Sequence, residues 1–130
     1  MRTFFAVFVG GMVGTATRIG LDAVIHHDDS GFPLSTLLIN IVGSFVLAFL
    51  VSRVWPLVPP AVRAGLGAGV MGGFTTYSAV MASLVSLTAS SQPGVAALYL
   101  LVTVLGGFAA AAAGLALGAR RRAMPLGADE

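Results

Sequence analysis

Four long apolar runs, at residues 3–25, 34–52, 61–89 and 95–119, dominate the sequence. A helix rises about 1.5 Å per residue, so about 20 apolar residues cross a hydrocarbon core. Four such runs take up most of a 130-residue chain and leave room for short connections and a tail rather than a separate soluble domain. Composition agrees: 57% of residues are hydrophobic and only 9% charged, whereas about a quarter of an ordinary soluble domain is charged. The chain therefore reads as an all-α integral membrane protein with four transmembrane helices in one domain, residues 1–122. Met1-Arg2 ahead of an apolar run has the form of a signal peptide, but three further spans favour a first membrane helix. The chain has no cysteine, which excludes a disulfide scaffold, a thiol nucleophile and a thiolate metal site.

The runs end where chemistry stops them. Residues 26–33 (His-His-Asp-Asp-Ser-Gly-Phe-Pro) form a polar turn. Arg53 with Pro56, Pro59 and Pro60 closes the second run, because proline cannot continue a helical ladder. Ser90, Ser91, Gln92, Pro93 and Gly94 close the third, and Arg120, Arg121 and Arg122 the fourth, with residues 123–130 expected as a disordered tail. Four crossings put the N-terminus, the second connection and the C-terminus on one side, with Arg2, Arg53, Arg63, Arg120, Arg121 and Arg122. The other side has only Arg18, at a span end, together with Asp28 and Asp29. This bias predicts a multi-pass protein of the plasma (inner) membrane with both termini cytoplasmic. It also accounts for the net charge of +2 by topology, with no nucleic-acid partner. Trp55 and Tyr99 fall near opposite interfaces, where amphipathic rings act as belt anchors.

Small residues recur at four-residue spacing in three runs: Gly10 and Gly14; Gly65, Gly69 and Gly73; Gly106, Ala110, Gly114 and Gly118. Such seams let membrane helices approach closely, and they predict a tight bundle completed by a partner subunit. Asn40 lies inside an apolar run, on one helical stripe with Thr36, Gly43 and Ser44. A buried amide needs partners for its donors and its acceptor, either an interhelical hydrogen bond or a ligand. Residues 71–78 (Met-Gly-Gly-Phe-Thr-Thr-Tyr-Ser) make a poor helix interior, since each Gly costs about 1 kcal/mol relative to Ala and Thr is β-branched. They read as an interrupted helix with freed carbonyls, or as a helix whose hydroxyls bond back to their own carbonyls. Arg18 and Asp22 sit four apart, as a local ion pair or as a vestibule cation that gathers anions. Thr103 shares a face with Tyr99, Gly106 and Gly107.

Residues 10–18 (Gly-Gly-Met-Val-Gly-Thr-Ala-Thr-Arg), 34–45 around Asn40, and 72–78 (Gly-Gly-Phe-Thr-Thr-Tyr-Ser) together resemble, in order, the motifs of the Fluc/CrcB family of fluoride channels. The resemblance implies an antiparallel dimer with two fluoride pores and a third helix broken at mid-membrane. It also implies a structural Na⁺ held by the main-chain carbonyls of Gly72 and Thr75. In the implied pathway Asn40 donates to fluoride, with Ser44, Tyr77, Ser78 and a Thr103 hydroxyl along the track and Arg18 in the vestibule. Two aromatic rings three residues apart line the pore in this family, and this chain has Tyr77 at the first position and Val80 at the second. A ring edge carries positive charge density and can face an anion; valine has none.

The resemblance implies passive export of cytoplasmic fluoride, giving fluoride resistance. The sequence itself has no ATP motif, mid-span proton carboxylate or redox group to drive transport, nor a residue set for enzymatic catalysis. The partners expected are fluoride, sodium, the lipid bilayer and a second four-helix subunit, either a homologous chain or a second copy. The six-to-one arginine bias and Val80 favour one half of a heterodimer. Two alternatives are a non-conducting structural subunit of such a pair and a small four-helix drug or guanidinium exporter. The exporter needs a membrane-embedded Glu in its first helix, and the only Glu here is Glu130.

Overall fold

The computed structural model describes residues 1–25 and 31–122, the last two by backbone alone. Most of the expected polar turn, at 26–30, and the tail expected to be disordered, at 123–130, lie outside the described residues. The chain forms α1 (Arg2–Val24), α2 (Leu34–Arg53), a 3₁₀ turn (Trp55–Leu57), α3 (Pro60–Ala64), a π-helical stretch (Gly65–Met71), α4 (Gly72–Phe74), α5 (Tyr77–Ala89) and α6 (Pro93–Arg122). Four helical spans are long and apolar enough to cross a membrane: Arg2–Val24, Leu34–Arg53, Pro60–Ala89 and Pro93–Arg120. Among the described residues there is no strand.

Proline sets several of these boundaries. Pro59 is extended and Pro60 opens α3; Pro93 opens α6, where its missing N–H has no helical partner to lose. Between α5 and α6 the chain reverses at Ser91, whose φ of 58° is left-handed, while Gln92 N–H donates to the Leu87 carbonyl at 2.9 Å. The fourth span is longer than the sequence predicts, because α6 runs through its arginines to residue 122.

Glycine decides which helices meet. A Cβ on Gly14 would collide with the Val70 carbonyl, one on Gly10 with the Gly65 carbonyl, and one on Gly69 would lie 2.8 Å from the Val7 carbonyl. Contacts therefore climb α1 and the rod α3–π–α4 together, from Ala6 against Gly65 to Gly14 against Phe74, so the two run parallel. The second pair is α2 with α6, where Gly106 meets Ile41, Gly114 the Phe45 carbonyl and Gly118 the Ser52 side chain. It too is parallel. The three small-residue seams are thus occupied within the chain, and backbone proximity replaces the hydrophobic drive that lipid cannot supply.

The π-helical stretch has no counterpart in the sequence expectations. It holds Gly65, Gly67 and Gly69, and its wider turn suits residues without side chains to splay. Gly72 N–H closes it by bonding back to the Gly67 carbonyl. Half-buried Trp55 lies over Gly67, where an added Cβ would come within 3.0 Å of the indole. Two apolar clusters fill the remaining space. Leu37, Val80, Leu87, Ala96 and Tyr99 join α2, α5 and α6, while Ile39, Met71 and Phe74 join α2 to the rod.

Adding a methyl group should therefore have opposite effects on two neighbouring glycines of α1. Gly14→Ala is expected to destabilise by about 1–3 kcal/mol, because its Cβ meets rigid backbone. Gly11 has open space around the same position, so Gly11→Ala should stabilise by up to about 1 kcal/mol through helix propensity. Thermal melts followed by circular dichroism in detergent compare the two.

Candidate functional site

The third span breaks where the sequence expects it. Thr75 (φ −84°, ψ 149°) and Thr76 (φ −146°, ψ 121°) are both extended, and α5 starts afresh at Tyr77. Thr76 caps that new helix, its hydroxyl oxygen accepting from Ala79 N–H at 3.3 Å and sharing a 2.9 Å hydrogen bond with the Ser78 hydroxyl. Threonine is a favoured N-cap residue.

Asn40 on α2 closes the break. Its Nδ2 donates to the Thr76 carbonyl at 3.1 Å, and its Oδ1 accepts from Thr76 N–H at 2.9 Å. One side-chain amide therefore satisfies both main-chain groups of a residue outside the helical ladder. This is an interhelical hydrogen bond, and it leaves the amide's second N–H available for a ligand. Gly43, one turn along α2, makes the approach feasible, since a Cβ there would collide with the Thr75 methyl.

The clamp also diverts hydrogen bonds. In an unbroken helix Thr76 N–H would bond the Gly72 carbonyl and Ala79 N–H the Thr75 carbonyl; here those donors go to Asn40 and to the Thr76 hydroxyl. Gly72 and Thr75 thus lose their helical partners. Carbonyl oxygens in that condition suit a hard cation.

Beside the break lies a groove of about 440 Å³, bounded by α2, α5 and α6. Asn40, Ser44, Thr75, Tyr77, Val80 and Thr103 all line it. Its polar lining comes from Asn40, Ser44, Thr75, Thr76, Tyr77 and Thr103, and the rest of the lining is apolar or glycine. Its hydroxyls differ in what they can offer. Ser44 donates to the Asn40 carbonyl at 2.8 Å and Thr75 to the Met71 carbonyl at 2.9 Å, the back-bonding common in membrane helices. Thr103 Oγ1 is buried with no hydrogen-bond partner. The Tyr99 hydroxyl, one turn away, is buried between the side chains of Ser83 and Thr103.

The remaining expected residues fall elsewhere. Thr36 and Ser78 are outside the groove lining, and so is Arg18 on α1. The local Arg18–Asp22 ion pair does not form: Asp22 instead accepts from Ser35 on α2 at 2.7 Å, and the Arg18 Nε is buried without a partner. Tyr99 is not a belt anchor, because it is 0% exposed and packs edge-on against Phe32 with ring centroids 5.4 Å apart. Val80 lines the groove yet is only 4% exposed, held in the core with Leu37 and Tyr99. Several groove residues carry no site expectation from sequence, Thr76 and Phe108 among them. Thr76 was legible only as part of its motif, and Phe108, 75% exposed, gives no sequence signal beyond being one turn past Val104.

Removing the clamp while keeping the helices tests its structural weight. Asn40→Ala strands the N–H and carbonyl of Thr76, and each buried unpaired group costs about 1–3 kcal/mol. Hydrogen exchange at Thr76 and Tyr77 should accelerate in that variant while exchange in α1 stays slow.

The chain is similar to known proteins along nearly its whole length. The family described as CrcB-like protein, Camphor Resistance (CrcB), matches residues 5–115. "Fluoride-specific ion channel FluC 1" of Bacillus anthracis is 37% identical over 123 residues, covering 91% of this chain and 90% of the relative. "Fluoride-specific ion channel FluC" of Anaeromyxobacter dehalogenans is 42% identical over 114 residues, 85% of this chain and 90% of the relative. "Fluoride-specific ion channel FluC 2" of Geobacillus kaustophilus is 35% identical over 116 residues, 87% and 90% of the two chains. With its four spans, its broken third helix and this coverage, the chain belongs to the CrcB family.

Proposed function

We propose that the chain is a subunit of a passive, fluoride-selective channel that exports cytoplasmic fluoride and so gives fluoride resistance. The observation that carries this reading is the Asn40–Thr76 clamp on the floor of the groove. Fluoride is small and strongly hydrated, so a membrane path must replace its water with donors that hold it weakly enough to release it. Asn40 keeps one N–H for that purpose, and Thr103 has a hydroxyl with no protein partner. Tyr77, 76% exposed at the groove, adds a ring edge. Ser44 is a secondary hydroxyl in the groove lining, Ser78 supports the track from outside the lining through its hydrogen bond with Thr76, and Arg18 is a vestibule cation that concentrates anions. The relatives' names, fluoride-specific ion channels, support the same substrate.

Sodium belongs to this proposal as a structural ion. The Gly72 and Thr75 carbonyls would hold it, and its charge would compensate two acceptors that the bilayer leaves bare. Replacing Na⁺ by N-methylglucamine should lower the melting temperature of the reconstituted protein, as loss of any native-state ligand does.

A second four-helix subunit completes the assembly, in antiparallel orientation. The groove's polar floor opens sideways, and lipid tails cannot satisfy polar groups, so protein must cover it. The arginine bias supports a plasma-membrane protein with both termini on the cytoplasmic side. Its antiparallel partner is therefore a distinct chain with reversed bias, giving a heterodimer. Val80 favours a second reading, a subunit that supports a partner's pore without conducting, since it brings no ring to the groove and is buried in the core.

Fluoride-loaded liposomes test both. Asn40→Asp should cut efflux at least about tenfold, the effect of little more than 1 kcal/mol of added repulsion. Unchanged flux would remove Asn40 from the path. Robust efflux from the chain alone would reject obligate pairing and the non-conducting reading together.

A further inference from the structure

We propose that the arginine-bearing end of the bundle is a collar that binds anionic phospholipid headgroups. The inference is independent of what the groove conducts. Contact between Gly65 and Ala6 places Arg2 and Arg63 at the same end of one helix pair, and contact between Gly118 and Ser52 places Arg53 and Arg120 at the same end of the other. Trp55, over Gly67, bridges the pairs at that end. Arg2, Arg63 and Arg120 are exposed and Arg53 is half-buried.

None of these four guanidinium groups has an acid to pair with among the described residues. The one acid there, Asp22, lies near the far end of α1. Arg63 donates its Nε–H to the Val58 carbonyl at 3.0 Å, which fixes the side chain and leaves its four terminal N–H groups for a ligand.

Helix dipoles explain only half of this arrangement. Arg53 ends α2 and Arg120 lies in the last turn of α6, where a cation is favoured. Arg2 begins α1, and Arg63 lies in the first turn of the rod that starts at Pro60. A cation at a helix N-terminus is disfavoured, so Arg2 and Arg63 stand against their own dipoles and call for negative charge that no described residue supplies. The membrane offers it at the depth where the spans end, as headgroup phosphate, which arginine binds in bidentate fashion. A headgroup with net negative charge satisfies the collar, whereas a choline headgroup brings its own cation.

The chain's single tryptophan is Trp55, a reporter already inside the collar. The full chain is reconstituted in vesicles in which either phosphatidylglycerol or phosphatidylcholine carries bromine, and quenching of Trp55 fluorescence is compared. Brominated phosphatidylglycerol is expected to quench with about fivefold preference, the contribution of one arginine near an anionic surface. High salt should bring the preference towards unity. Arg2→Gln combined with Arg63→Gln should reduce it, and Arg2→Lys with Arg63→Lys should keep most of it. Equal quenching by the two lipids overturns the proposal, as does a preference untouched by both salt and the glutamine variant. Loss of the preference on adding inorganic phosphate at constant ionic strength assigns the collar to a soluble anion and overturns it too. The salt series uses the unmodified protein, so it decides even where the glutamine variant fails to fold.

Discussion

A peptide group inside a bilayer has no water to turn to, and the third span leaves Thr76 outside its helical ladder. The carboxamide of Asn40 meets that need with one donor and one acceptor on a single side chain. Aspartate has no donor at neutral pH, and serine's donor and acceptor share one oxygen, whereas a carboxamide carries them on two separate atoms that match a peptide's N–H and C=O. Because the clamp holds the break open, α5 can start with its own cap, and Tyr77 and Thr76 come to line the groove. Gly43 takes part without a hydrogen bond, by letting the Thr75 methyl close on α2. The break is thus a joint product of α2 and the third span. Neither segment specifies it alone.

The chain sorts its hydroxyls into two sets. Thr17, Ser44, Thr75 and Thr88 bond back to the carbonyl four residues earlier and so pass as near-apolar groups in the membrane. Thr103 and Tyr99 do not, although both are buried. Burial without a partner is costly, and these two oxygens fall on one stripe of α6 beside the groove.

Much of this was legible in sequence, for identifiable reasons. The four spans follow from run length, and the weak point of the third from Gly-Gly ahead of Thr-Thr, because both signals are local; the Asn40 clamp that holds the break open is not. The glycine seams announced close approach, but spacing cannot say which helix approaches which, and the structure uses them all within the chain. Asn40 was legible as a polar residue in need of partners; its partner, 36 residues away, was not. Tyr99 was misjudged because distance from a span end places a ring in depth, not in rotation, and rotation turns it inward against Phe32. The partner of Asp22 is hidden for a related reason: four-residue spacing allows a pair with Arg18 as one reading, but Ser35 on another helix donates to the same carboxylate. The π-helical stretch left no signal, since Gly-rich sequence is equally compatible with a tight seam on an ordinary helix.

The distance between Asn40 and Thr76 has a consequence for how the protein is made. A ribosome delivers the chain from its N-terminus, so α2 emerges before Thr76 exists and well before α6, against which α2 packs. For that interval its amide must sit among acyl chains with nothing to bind. The mean hydropathy of α2 is 2.3, level with the 2.2 of the fourth span and well above the 1.5 of α1 and the 1.4 of the third. That surplus of aliphatic side chains keeps a helix carrying a bare carboxamide in the bilayer until the rest of the polypeptide has been translated.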